Sequence, residues 1–422
     1  MRYIADFHLH SRYSRATSRD LNLETLSVGA KIKGLNVLSS GDFTHPTWLE
    51  ELKEKLEPAD DTGIFAFNGI NFVLTAEVAT VFSFEGKTRH IHHNIHARSF
   101  EVVDQINEAL KKFGDLKSDG RPILNVSAPE LVEAFMQVDK HTLIYPNHAW
   151  TPWRSVFGAI GGFDSLEECY QDQANHIFAL ETGLSSDPPM NWRLSKLDNI
   201  TLLSNSDAHS PHPWRLGREA NVFEFKELTY EEIYDAIKRR DKKRFLSTIE
   251  VSPSYGKYHI TGHRNCNVSM HPRDAKKLNN KCPRCGKKMT IGVLQRVEEL
   301  ADRPEGFILD TIKFKTLLPL YEIISFVMGV NQLYSRKVIE EQNRLIGRFG
   351  NEMDVLMNAG REELAKVTSE KIADAIIKVR EGNVKFEDGY DGVYGKPVFD
   401  DRMQIRKTYV DQKSIADFSR KG

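Results

Sequence analysis

His8 and His10 stand two residues apart in the opening stretch of residues 2–10, and the same spacing returns at Asp207 and His209. In an extended chain, side chains two apart project to the same side. Each pair therefore offers two potential ligand atoms together. Neutral imidazole and carboxylate are the donors that zinc-like ions take. Further candidates follow short apolar runs: Asp42 after Gly41 with His45 one turn on, Glu77 after residues 72–76, and His148 after Pro146 and Asn147. The stretch 89–97 carries His90, His92, His93 and His96, of which one or two could be ligands. A mixed His/Asp/Glu set suits two or three divalent ions such as zinc, manganese or magnesium. It suits calcium poorly, because calcium prefers oxygen alone.

A second set is built on sulfur. The chain has four cysteines, and three of them, Cys266, Cys282 and Cys285, fall close together in sequence. Clustering of this kind is poor arithmetic for a disulfide framework and good arithmetic for a metal site with Cys169 left over. Cys282-Pro283-Arg284-Cys285-Gly286 reads as a zinc knuckle, a tight turn that aims two thiolates and nearby amides at one ion. Cys266 and a histidine would complete a structural Cys3His site. His263 has the best spacing, with His259 and His271 as alternatives. So short a domain, poor in core residues, needs such a staple.

The elements that must position these groups are legible in outline. Residues 22–33, 48–56, 105–113 and 129–137 have helical spacing. Residues 35–42, 72–78, 89–97, 142–146, 177–180 and 201–204 read as strands, and several of them run into the polar candidates. This alternation predicts an α/β barrel-like domain with its chemistry at the C-terminal ends of the strands. Residues 252–256 look like a linker. Beyond residue 300, helices are expected near 335–349, 351–358, 361–367 and 370–380. The last two, joined by a very short turn, resemble a helix-hairpin-helix whose turn amides grip a DNA phosphate. Residues 389–399 form a glycine- and tyrosine-containing loop with no role readable from sequence.

At 422 residues the chain is long enough for two to three domains, with 40% hydrophobic and 28% charged residues. No apolar run of about 18 residues suggests a membrane span, and the opening does not resemble a signal or transit peptide. A cytoplasmic protein is expected. The net charge of −1 conceals a basic island: residues 256–296 hold ten Lys/Arg against Asp274 alone, a net of +9, so the remainder carries −10. A patch of that kind meets polyanions.

In order along the chain, His8-Leu9-His10, Gly41-Asp42, Glu77, His92, His148 and Ser206-Asp207-Ala208-His209 resemble the PHP (polymerase and histidinol phosphatase) superfamily. That resemblance implies a distorted seven-stranded β/α barrel whose bound metals hydrolyse phosphoesters. It singles out His92 among its neighbours. The superfamily pattern has Asp-His at the second motif; here Phe43 follows Asp42, and His45 is the best substitute. Residues 40–46, 147–153, 181–192 and 204–210, with the cysteine module, extend the likeness to the endonuclease Q family of archaeal DNA repair enzymes over essentially the whole chain. The implied organisation is a PHP barrel over residues 1–250, a zinc-binding domain over 251–300, a helical DNA-binding domain over 301–400 and a flexible tail over 401–422.

The implied activity is nicking of double- or single-stranded DNA 5′ to deaminated bases (uracil, hypoxanthine, xanthine) and abasic sites, leaving a 3′-hydroxyl and a 5′-phosphate. Trp48, Trp150, Trp153 and Trp192, near the ligand-bearing stretches, are candidates to stack on a flipped base. In the tail, Gln412, Ile415 and Phe418 resemble the box that binds a sliding clamp. Two other classes remain in view. One is a phosphatase for small monoesters, which the basic island disfavours; the other is a non-catalytic DNA-binding adaptor, which the near-complete ligand set disfavours.

Overall fold

In the computed structural model, residues 1–330, 332 and 334–399 are described. Seven strands form the barrel: β1 (Arg2–Asp6), β2 (Val37–Ser39), β3 (Ile70–Phe84), β4 (Lys87–Ala97), β5 (Leu143–Pro146), β6 (Ala179–Glu181) and β7 (Thr201–Leu203). β1, β2 and β3 are parallel neighbours, β4 runs antiparallel to both β3 and β5, and β6 pairs parallel with β7. Ala149 N–H donating to the Glu181 carbonyl links the β5 and β6 ends, and a parallel bridge from Leu9 to Ala208 closes the ring. The strand directions are therefore mixed around the ring. Helices such as Leu23–Lys33, Pro46–Lys55 and Ala128–Val138 pack outside.

The observed strands differ from the sequence reading in two instructive places. β1 stops at Asp6 rather than reaching His10. The buried Asp6 carboxylate accepts from the amides of His8, Ser206 and Gly217, which takes the backbone out of the ladder. β3 and β4 run longer than residues 72–78 and 89–97 suggest, because Glu85 and Gly86 turn with positive φ (50° and 71°) and join them as one hairpin. Two positive-φ residues are the demand of a two-residue hairpin turn.

Three further strands extend the sheet from β1: β8 (Ala220–Glu224), β9 (Phe245–Glu250) and β10 (Lys313–Thr316). β10 pairs with β9 from beyond residue 301, so the barrel sheet draws a strand from the stretch assigned by sequence to the helical region. The cysteine module is a short hairpin (Thr261–His263 with Val268–Met270) and a helix (Pro272–Lys277) around a core of only Val268, Ala275, Cys282 and Met289.

The C-terminal region packs Leu320–Met328, Arg336–Phe349, Glu352–Met357, Arg361–Ala365 and Glu370–Arg380 together. It is fastened to the barrel by a buried ion pair, Lys33 Nζ to Glu352 Oε1 at 2.7 Å. Glu352 also accepts from Leu320 N–H and the Gln342 amide. Among the described residues no helix is long and apolar enough to cross a membrane.

Residues 389–395 turn back onto the cysteine module. Gly389, Gly392 and Gly395 N–H donate to the carbonyls of Ser254, Lys257 and Tyr255. Asp391 accepts from Arg264 N–H at 2.7 Å and Thr290 Oγ1 at 2.6 Å. The loop without a sequence-readable role is therefore a strap.

Candidate metal centre and its approach

The ligand candidates meet at one mouth of the barrel, on backbone that is shaped to present them. Asp42, His148 and Asp207, each just past a strand end, have left-handed φ of 44°, 31° and 48°. For residues other than glycine such conformations cost about 1–3 kcal/mol each and persist only where the surroundings impose them. Close approach supplies part of that imposition. A Cβ on Gly183 would lie 2.8 Å from His148 Cβ, and one on Gly120 would lie 2.3 Å from Asp42 Oδ2.

Two groups of donors converge, His8 with His10 and Asp207, and Glu77 with His92 and His148. His10 Nε2 is 3.0 Å and His8 Nε2 is 3.6 Å from Asp207 Oδ1, and both nitrogens are 3.5 Å from Glu77 Oε2. Glu77 Oε1 is 2.7 Å from His92 Nδ1 and 3.4 Å from His148 Nε2. Glu77 thus reaches both groups with its two oxygens. Donors about 2.1 Å from an ion stand roughly 3.0–3.4 Å apart in octahedral or tetrahedral arrangement, so these spacings fit divalent ions. Glu77 Oε2 is buried with no hydrogen-bond partner among the described residues, an orphan that a cation would satisfy. Burial opposes the charge on Glu77, yet His92 and His8 hold its carboxyl well below the usual range. The same contest, against His209, His8 and His10, holds Asp207 down.

Behind these atoms stand carboxylates that orient the imidazoles. His8 Nδ1 is 2.9 Å from Glu181 Oε2, and His10 Nδ1 is 3.2 Å from Asp42 Oδ1. Each contact fixes the tautomer that leaves Nε2 facing the centre. Glu181 is fully buried and also accepts from the Asn205 amide and His148 N–H. Asp42 takes Ser11 N–H, Ser11 Oγ and Ser14 Oγ on its other oxygen. It therefore stands behind His10 and outside both converging groups. His45 precedes the helix Pro46–Lys55, stacks on Tyr13 with ring centroids 4.4 Å apart, and joins neither group. His209 borders the first group, its ring 4.8 Å from that of His10. The other histidines of β4 are used structurally: His93 meets Thr80 and Tyr170, and His96 meets Tyr145.

The tryptophan expectation needs correction. Trp48 is fully buried and donates to the carbonyls of Ser40 and Gly41. Trp150 donates to Asn191 and packs on Phe157, while Trp192 lies against Phe314. These three are core side chains with no face free for a base. Trp153 alone is open, 43% exposed and tilted against Tyr258.

Sequence reasoning passed over several groups at this mouth. Glu181 ends an apolar strand as Glu77 occupies one, and that parallel was the available signal. Arg121, from a loop that signals nothing, stands with Nη1 3.7 Å from Glu77 Oε2. Arg215, Arg218, Lys257, Tyr258 and Tyr394 line a cavity of about 460 Å³ that His148, Glu181, Asp207 and His209 also border. Barrel, cysteine module and strap each contribute to its wall.

In the cysteine module, His263, Cys266, Cys282 and Cys285 bring their ligand atoms together, a Cys3His cluster. His259 faces Asp388 instead. Burial raises the Cys282 thiol, but the amides of Arg284 and Cys285 outweigh it and bring it down to about 6. Around the cluster, Arg264, Arg273, Lys276, Lys277, Lys281, Arg284, Lys287 and Lys288 are all exposed. The clamp-like residues Gln412, Ile415 and Phe418 lie outside the described residues.

Known proteins give these features a setting. Residues 319–383 match the family model "MJ0043 C-terminal domain". The uncharacterised protein MJ0043 of Methanocaldococcus jannaschii is 37% identical over 262 residues, which cover 60% of this chain and 32% of that protein. The chain thus spans about a third of the length of that relative. The uncharacterised protein YqxK of Bacillus subtilis is 29% identical over 412 residues, covering 93% of this chain and 98% of that one. The crystal structure of the lesion-specific endonuclease PfuEndoQ from Pyrococcus furiosus superposes with a TM-score of 0.86 at 36% identity, covering 99% of each chain. A structure of endonuclease Q with a 27-mer duplex substrate bearing an abasic lesion at the active site gives the same TM-score and identity, covering 98% of this chain and 100% of that one. With that identity maintained along the whole length of a solved relative, this chain belongs to the endonuclease Q family.

Proposed function

We propose that this protein is a metal-dependent DNA repair endonuclease that hydrolyses the phosphodiester 5′ to deaminated bases and abasic sites, leaving a 3′-hydroxyl and a 5′-phosphate. The observation that carries this reading is the pair of donor groups sharing Glu77 at the mouth of a cavity wide enough for an extrahelical nucleotide. Divalent ions held by His8, His10, Asp207, Glu77, His92 and His148 would supply water activation and charge neutralisation at phosphorus. The chain's own groups do the positioning. Glu181 and Asp42 hold the imidazoles, and Arg121 turns a guanidinium toward the same centre, where it can grip a non-bridging phosphate oxygen. The exposed cations of the zinc module suit the duplex backbone, a contact that fixes position without reading sequence. The hairpin of Arg361–Ala365 and Glu370–Arg380 is proposed as a further backbone contact, and Gln412, Ile415 and Phe418 as the tie to a sliding clamp.

Incubating the protein with uracil, hypoxanthine, xanthine and abasic duplexes, and separately with phosphate monoesters, tests the reading in the presence of divalent metal or chelator. Lesion-strand nicking that requires metal is expected. His8→Ala and Asp207→Asn should lower it by at least a thousandfold while duplex binding persists. Release of phosphate from monoesters with intact lesion DNA would overturn the reading in favour of a phosphatase, and binding without cleavage would favour an adaptor.

A further inference from the structure

The cavity beside the metal centre has a cationic end that the hydrolytic chemistry does not use. Arg215 and Arg218 from the barrel and Lys257 from the start of the zinc module face it together. Arg218 Nε and Nη2 donate to the Ser206 carbonyl at 3.1 and 3.0 Å, which leaves its Nη1 without that tie. Lys257 Nζ stands 4.7 Å over the Tyr394 ring. Among the described residues none of the three cations makes an ion pair, and Arg215 has no side-chain hydrogen bond. Behind them lie the buried carboxyls of Glu322 and Glu219, neither in an ion pair with them among the described residues; burial raises both, against the pull of Arg215 and Arg218 on Glu322 and of Arg218 on Glu219.

Three half-buried cations around one cavity gather positive charge on a single wall, and an anion placed among them would meet all three. Guanidinium and ammonium groups in this grouping match a phosphate far better than a neutral base. The rings of Tyr258 and Tyr394 complete the wall, and the strap through Gly389, Gly392 and Gly395 holds Tyr394 in place. A relative accommodates a lesion that has no base at its active site, so the sugar and its two phosphates are what such a site has to hold.

We infer that Arg215, Arg218 and Lys257 form a second phosphate subsite, which binds the phosphate 3′ to the extrahelical nucleotide while the metal centre takes the one 5′ to it. This rests on the endonuclease reading above. The lesion nucleotide is then held at both ends of its backbone, and strand distortion sufficient to bring that second phosphate inward becomes part of specificity.

The test uses the full chain with divalent metal, under single turnover, on three abasic duplexes. One is unmodified, one has a neutral methylphosphonate immediately 3′ to the lesion, and one has it three phosphates further on. The inference expects the adjacent methylphosphonate to slow nicking at least tenfold and the distant one to change it less than twofold. Arg215→Gln and Lys257→Gln should slow nicking of the unmodified duplex by a similar factor and add little on the adjacent methylphosphonate. Equal nicking of all three duplexes, or losses that multiply between variant and methylphosphonate, would overturn it. Failure of the unvaried protein to nick the unmodified duplex would remove the endonuclease reading and the subsite with it, an outcome distinct from equal nicking.

Discussion

Glu181 shows how much of this site is decided one atom behind the metal-facing groups. Its carboxylate holds His8 Nδ1, the Asn205 amide and His148 N–H at once. Glu181→Gln keeps the shape but turns an acceptor into a donor, and such changes behind a ligand typically cost about 10- to 100-fold in metal affinity. Nicking by the variant is expected to need correspondingly more metal and to recover at saturation; metal titration of the rate checks this, and loss that no metal concentration restores would count against it. A second buried carboxyl gives a pH signature. Glu250, stripped of water and close to Asp187, is raised to about 8 although Thr248 and Thr182 donate to it. Its folded form keeps a proton that the unfolded chain sheds above about pH 4.5, so stability is expected to fall as pH rises between about 4.5 and 8, by an amount on the order of a few kcal/mol. Denaturation midpoints across that window should show the slope, and Glu250→Gln should reduce it, the buried Glu219 carboxyl being raised as well. The opening histidines were legible because a spacing of two keeps side chains on one side of an extended backbone; the same spacing found Asp207 although its backbone is left-handed. Asp42 was legible as a site residue but not as a supporting one, since its distance behind His10 depends on Ser11 and Ser14 folding over it.

At the scale of elements, the ends of the barrel helices matter more than their middles. Asn22 and Ser127 cap Leu23–Lys33 and Ala128–Val138 with reciprocal side-chain bonds, and Gly34 closes the first in a left-handed turn. Those signals are local, so sequence places these helices within a residue or two. The β3–β4 hairpin and the join of β9 to β10 were harder, because strand partners are chosen by the rest of the sheet and not by the strand itself. The same helix Leu23–Lys33 ends in Lys33, whose ammonium is buried against Glu352 and the Pro213 carbonyl. Lys33→Met leaves Glu352 charged and unpaired in the interior, a change that typically costs about 3–5 kcal/mol. Chemical denaturation should register that loss, and pairing it with Glu352→Gln should restore much of it. If the single variant is as stable as the unvaried chain, the ion pair does not fasten the helical region to the barrel.

Across the whole molecule, the order of modules in the chain was readable and their mutual arrangement was not. Histidine and cysteine spacing located the barrel and the Cys3His module, and charge marked the module's exposed face. Nothing in residues 389–399 announced that Tyr394 would stand beside the metal centre, because that placement depends on backbone amides reaching carbonyls of Ser254, Tyr255 and Lys257 far back in the chain. One wall of the cavity is in this sense encoded late in the chain. All the metal-facing residues lie in the chain before His209, yet one wall of the cavity waits for the strap. As the polypeptide emerges from the ribosome, the barrel can close around its histidines and carboxylates well before the strap exists to shape the approach. On the proposed reading, the hold on the target is complete only once synthesis has passed residue 395.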